Sequence, residues 1–193
     1  GVLSAVKQYS PADSFLRVAS TVLVAMPTFW LAMLLILVFA LYLGWLPAGG
    51  ALTWQSYILP TITVGVPYGS KVLRMTRSTM LEEIRQDYVR TARSKGVPEK
   101  KVIYGHALKN ALLPVITTIG SAFGAILGGS VIAESVFNLP GLGSLIVLSI
   151  KAKDTPSVLA SVLLLAVFFA LIMLIVDLVY AFIDPRIKAK YAK

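Results

Sequence analysis

Cysteine is absent from this chain and histidine occurs once, at His106. No disulfide, thiol nucleophile or cysteine metal site can form, and a single imidazole leaves a metal centre or a Ser-His-Asp set short of members. Charge is scarce as well. Asp, Glu, Lys and Arg make up 14% of the 193 residues, against 57% that are hydrophobic. A soluble domain of this size could hardly bury so much apolar surface, so the composition is that of a membrane protein. There is no G-x-x-x-x-G-K-[ST] phosphate loop, so the usual means of binding ATP is missing from these residues.

Charge is missing most conspicuously from Val18 to Ser70, where there is none. That run is more than twice the ~20 residues a membrane helix needs. Gly44, Pro47, Gly49 and Gly50 divide it into spans of about 21–43 and 57–73, with Trp45, Trp54 and Tyr57 placed as an interfacial aromatic belt. Pro27, Pro60 and Pro67 predict bends within these spans, and Gly65 and Gly69, four apart, predict a close helix contact. A third uncharged run covers residues 111–133. It carries Gly120, Gly124 and Gly128 on one face, a surface suited to helix packing or to lining a pore. A fourth span covers about 158–176, with Asp177 at its end, close enough to the boundary to reach water or pair with Arg186. The expected fold is therefore an all-α integral membrane protein with about four spans. The spans hold no ionisable residue near their centres, unlike a proton relay or an intramembrane acid pair.

What charge there is collects in one polar segment, whose core from Asp87 to Pro114 reads DYVRTARSKGVPEKKVIYGHALKNALLP. Met80, Ile84, Tyr88 and Ala92 recur every fourth position, which predicts one helix over 79–95 with these residues on a common side. Gly96 ends that helix. Pro98 and Glu99 begin another that runs through Leu108 towards the membrane. Near the bend, the small residues Thr91, Ala92 and Ser94 stand among Arg90 and Arg93, so a partner's surface can approach the backbone closely. Further on, 134–154, containing Pro140-Gly141-Leu142-Gly143, reads as a loop too apolar to be freely solvated.

Counting basic residues gives the topology. The first connection, the central loop and the tail hold sixteen Lys and Arg, and the opposite side holds only Lys151 and Lys153. The central loop and the C-terminus are therefore expected in the cytoplasm. The net charge of +9 fits basic loops on the inner membrane face better than nucleic-acid binding.

DYVRTARSKG followed by HALKNALLP, with RMTRSTMLEE before, ESVFNLPGLG after and DPRIK near the end, resembles the permease subunits of bacterial ATP-driven importers, in the dipeptide, oligopeptide and nickel branch. Of the general signature of such permeases, Ala92, Gly96 and Leu108 are present. The resemblance extends over nearly the whole chain. It implies a type I importer transmembrane domain over 1–193, in which two further N-terminal spans are expected to precede this sequence, and a cytoplasmic coupling region at 76–110. PTFWLAMLLI and the residues before it look like the first permease of a pair.

The partners so implied are a second, related permease, two ATPase subunits and an extracytoplasmic binding protein that delivers substrate. The chain itself would hold no cofactor, ATP and Mg²⁺ lying on the ATPase subunits. Tyr88, Arg90, Thr91, Ala92, Arg93, Ser94 and Gly96 would form the helix that docks on the ATPase. Peptides, nickel chelates and related small solutes are left open as substrates. Other classes predict different behaviour: a stand-alone channel or secondary carrier would transport without an ATPase, and a structural scaffold would tolerate rewriting of Arg90 to Gly96.

Overall fold

A computed structural model describes residues 1–183, apart from the side chains of 127–129 and 180–183. Nine α-helices are found among the described residues: α1 (Val2–Val6), α2 (Pro11–Ala25), α3 (Thr28–Leu35), α4 (Ile58–Ile84), α5 (Asp87–Ser94), α6 (Glu99–Lys101), α7 (Leu108–Val136), α8 (Leu142–Lys151) and α9 (Thr155–Ile183). No strand occurs among these residues. Wider π-type turns continue α3 over Ile36–Tyr42 and join α6 to α7 over Val102–Ala107.

Two helices are long and apolar enough to cross a membrane, Glu99–Ile126 and Thr155–Val179, and a third crossing is counted if the broken pair α2 and α3 forms one span. The break explains that proviso. The expected span 21–43 is interrupted between Ala25 and Thr28, where Pro27 takes an extended conformation as the cap of α3. Pro67, by contrast, lies inside α4 without ending it. That helix runs well past the expected boundary near residue 73, through Arg74, Arg77, Glu82 and Glu83, so its second half is polar. An added Cβ at Gly65 or Gly69 would meet nothing within 4 Å, so the close helix contact expected there is not made among the described residues.

The contacts divide the chain into two compact units. The first comprises Gly1–Val24, Gly69–Ser121 and the chain from Ile175 on. Its core is Ala5, Met80, Val89, Val102, Ile103, Ala107 and Ala111. Beside that core lies an ion pair 64 residues apart in sequence: Arg77 Nε and Nη2 donate to the two carboxylate oxygens of Asp13 at 2.7 and 2.8 Å. Asp13 is fully buried, and it also accepts from the Ser4 hydroxyl and from the Tyr9 amide. Every lone pair that burial strips of water is thereby answered, which is the condition for keeping such a charge inside.

The second unit comprises Ala25–Tyr68 and Ala122–Leu174. Ala32, Leu59, Ala133 and Phe137 form its core. Gly49 and Gly50 lie against the end of α7. Gly50, at φ +83°, donates its amide to the Phe137 carbonyl at 2.8 Å, and a Cβ on Gly49 would overlap that same carbonyl.

The segment expected as a loop at 134–154 instead contains α8. Glu134, from the last turn of α7, accepts the Ser144 amide at 2.9 Å in the first turn of α8, and Ser144 Oγ accepts the Gly141 amide at 3.0 Å. A carboxylate from one helix thus satisfies the start of the next. Lys153, in the left-handed region at φ +57°, then turns the chain, and Asp154 caps α9 by accepting the Ser157 amide at 3.2 Å and its hydroxyl.

Candidate functional site

The polar segment folds into a bent projection of α5, a glycine turn and α6. The single helix expected over 79–95 is in fact two. The last turn of α4 tightens as Arg85 and Gln86 donate to the carbonyls of Glu82 and Glu83, and Gln86 then turns to an extended conformation and caps α5. That break resets the helical phase. Tyr88, expected on a common side with Met80, is 38% exposed, and Val89 is the residue buried in the core, with Ala92 partly buried next to it. One apolar stripe therefore anchors the projection, leaving Arg90, Thr91, Arg93, Ser94 and Gly96 exposed.

Its far end is a Schellman turn. Gly96 sits at φ +75° and donates to the Arg93 carbonyl at 2.9 Å, while Val97 donates to the Ala92 carbonyl at 3.2 Å. Val97 and Ala92 both pack on the core, supplying the hydrophobic contact that accompanies this motif. Pro98 has extended backbone and accepts the Lys101 and Val102 amides at 2.8 and 3.0 Å, which starts α6.

Two polar links brace the bend. Across the turn, Arg93 donates to Glu99 twice, Nε to Oε2 at 3.1 Å and Nη2 to Oε1 at 2.8 Å. The carboxylate raises the Arg93 pKa above its ordinary value. Both groups are well exposed, so the pair contributes at most about 1 kcal/mol, though its fork geometry fixes orientation. At the near end, the Tyr88 hydroxyl donates to Glu83 Oε2 at 2.5 Å and receives a hydrogen bond from the Asn110 side chain. Burial, and then Glu83, hold the phenol above its ordinary pKa, with Asn110 acting the other way. This hydroxyl joins the end of α4, the start of α5 and the first turn of α7. Glu83, Val89 and Asn110 were not expected to matter. Asn110 alone had a sequence signal, its place in HALKNALLP.

A family model described as "Binding-protein-dependent transport system inner membrane component" matches residues 1–189. The chain belongs to that family. By that family it is an inner-membrane component of a transport system. It is 44% identical over 190 residues to the "Glutathione transport system permease protein GsiC" of Escherichia coli (strain K12), covering 98% of this chain and 62% of that protein. It is 48% identical over 167 residues to the protein of the same name from Salmonella choleraesuis (strain SC-B67), covering 86% of this chain and 55% of that protein. The chain thus spans about three fifths of the length of these curated relatives.

The other sequence candidates in this family member fall elsewhere. An added Cβ at Gly120 would overlap Val176, and one at Gly124 would overlap the Phe169 ring, so at both positions α7 lies directly against α9. Gly128 is within α7, but its surroundings lie outside the described residues. Asp177 is exposed on α9, while Arg186, the DPRIK segment and the basic tail lie outside the described residues. His106 is exposed, and no group of three or more His, Cys, Asp or Glu among the described residues could hold a metal ion.

Proposed function

We propose that this chain is a permease subunit of an ATP-driven importer, moved by a separate ATPase through the projection at α5 and Gly96. The observation that carries this reading is the construction of that projection. Val89 and Ala92 root it in the core, the Schellman turn and the Arg93–Glu99 fork hold its bend, and Tyr88 ties it to Asn110 at the start of α7. Its outer face keeps Arg90, Thr91 and Ser94 exposed. Force applied to such a body is transmitted rather than absorbed, because packed elements move as units. Closure of an ATPase pair on ATP and Mg²⁺, held by those subunits, displaces the projection, and α7 carries the displacement into the membrane.

In this reading residues 76–110 are the coupling region, and Tyr88, Arg90, Thr91, Arg93, Ser94 and Gly96 form the contact with the ATPase, with Ala92 beneath them on the core. The projection and the C-terminus face the cytoplasm, as the basic residues favour. A second related permease completes the pathway, and an extracytoplasmic binding protein delivers the substrate. Gly120 and Gly124 serve helix packing against α9. The substrate is a peptide-sized solute, with glutathione the first to test given the names of the relatives. The test is co-purification of the full-length protein with its ATPase and binding protein, followed by ATP-dependent uptake of glutathione, dipeptides and nickel in proteoliposomes. Uptake without any ATPase would show instead a channel or secondary carrier.

A further inference from the structure

Within the first unit a groove of about 880 Å³ runs between α2 and the polar half of α4. Arg17, Arg74, Arg77 and Arg85 line it, against a single carboxylate, Glu82. Arg77 is engaged by Asp13, whereas Arg17, Arg74 and Arg85 make no ion pair among the described residues. A concave site with three uncompensated guanidiniums selects an anion, and guanidinium geometry matches the oxygens of a phosphate.

The surroundings say which kind of phosphate. α2 is built inside out: it buries Asp13 and Ser20 and exposes Phe15, Val18 and Val22, the pattern of a helix whose outer neighbour is hydrocarbon. Val18 and Val22 themselves border the groove. On α4 the arginines begin where the uncharged run ends at Ser70, which is the level of a membrane–water boundary. We propose that this groove binds the headgroup of an anionic phospholipid, with Arg17, Arg74 and Arg85 supplying the positive charge that lines it and the acyl chains lying along Val18 and Val22. The inference rests on membrane placement, not on the transport reading, and stands or falls separately from it.

The test is native mass spectrometry of the intact assembly, titrated with dioleoylphosphatidylglycerol or dioleoylphosphatidylcholine. Phosphatidylglycerol should be retained preferentially, and each arginine removed should weaken retention roughly fivefold, so Arg74→Gln with Arg85→Gln should cost about 25-fold. Ser78→Glu, which adds a carboxylate to the groove without removing a guanidinium, should weaken it in the same direction, and Lys7→Gln, outside the groove, should not. Equal retention of the two lipids, or unchanged retention in both groove variants, would overturn the proposal. Displacement of the lipid by inorganic phosphate at millimolar concentration would make the groove a free-anion site and overturn it equally. So would a cross-link from Ser78→Cys to another subunit, which would show a protein occupying the groove.

Discussion

Gly96→Val is the substitution that separates a mechanical role for the turn from a merely solvated one. At φ +75° a β-branched residue is strained, while an added Cβ would meet nothing within 4 Å, so the cost is in the backbone and not in a clash. A non-glycine residue in the left-handed region costs about 1–2 kcal/mol. If the turn opens to relieve that strain, the amide bonds to the Arg93 and Ala92 carbonyls are lost as well, at roughly 1 kcal/mol each. Set against the equilibrium between a formed and an unformed bend, 1–2 kcal/mol reduces the formed fraction by about five- to thirtyfold once the reserve of the turn is used up. The turn is exposed, and the buried anchors Val89, Val102 and Ala107 are untouched, so insertion and abundance should not change. Reconstituted with its ATPase and binding protein, the variant should hydrolyse ATP but import several-fold less substrate per ATP. Gly96→Asn, which tolerates the left-handed region, should restore most of the ratio. Parent-level coupling in the valine variant, or equal failure of the asparagine variant, would refute the reasoning.

Three further outcomes follow from other contacts. Tyr88→Phe removes the hydroxyl shared by Glu83 and Asn110 and should cost about 0.5–1.5 kcal/mol of local stability, seen as faster amide exchange in α5 with the core of α7 unaffected. Gly49→Ala drives a Cβ into the Phe137 carbonyl, which cannot swing aside as a side chain would, so the purified protein should melt several degrees lower, whereas Gly44→Ala, with open space around it, pays only for its backbone conformation. Asp154 has its pKa lowered, first by the Ser157 hydroxyl and then by the Ser157 amide, so its cap stabilises fully above the ordinary carboxylate range and is lost as pH falls through the lower folded value. Asp154→Ala should therefore lower Tm near neutral pH, with the gap to the parent closing in strong acid; a gap independent of pH would show that the carboxylate is not the cap.

The parts of the site that were legible in the sequence are those whose cause is local. Gly96 and Pro98 mark the bend because a left-handed turn and a missing amide are properties of one residue each. Pro27 marked the interruption between α2 and α3 in the same way. The break at Gln86 left no such mark: no glycine or proline stands there, and the spacing of Met80, Ile84, Tyr88 and Ala92 continues through it. Only the core that receives Val89 reveals that the phase has shifted. The Asp13–Arg77 pair is not visible in the sequence for a different reason, since 64 residues separate its members and no local pattern links them. The sequence around α8 suggests a loop because Pro140 and Gly141 dominate its start, while the group that satisfies that start, Glu134, belongs to the preceding helix.

These 193 residues hold no cysteine, so in an assembly whose remaining sequence and subunits are made cysteine-free, a cysteine introduced at Thr91 reports from that position alone. In the assembled importer, Thr91→Cys should cross-link to the ATPase subunit through a short bifunctional reagent, and the yield should change when nucleotide is bound. A cysteine there that reacts freely with a bulky soluble maleimide in the full assembly, and links to no ATPase in any nucleotide state, would contradict the account.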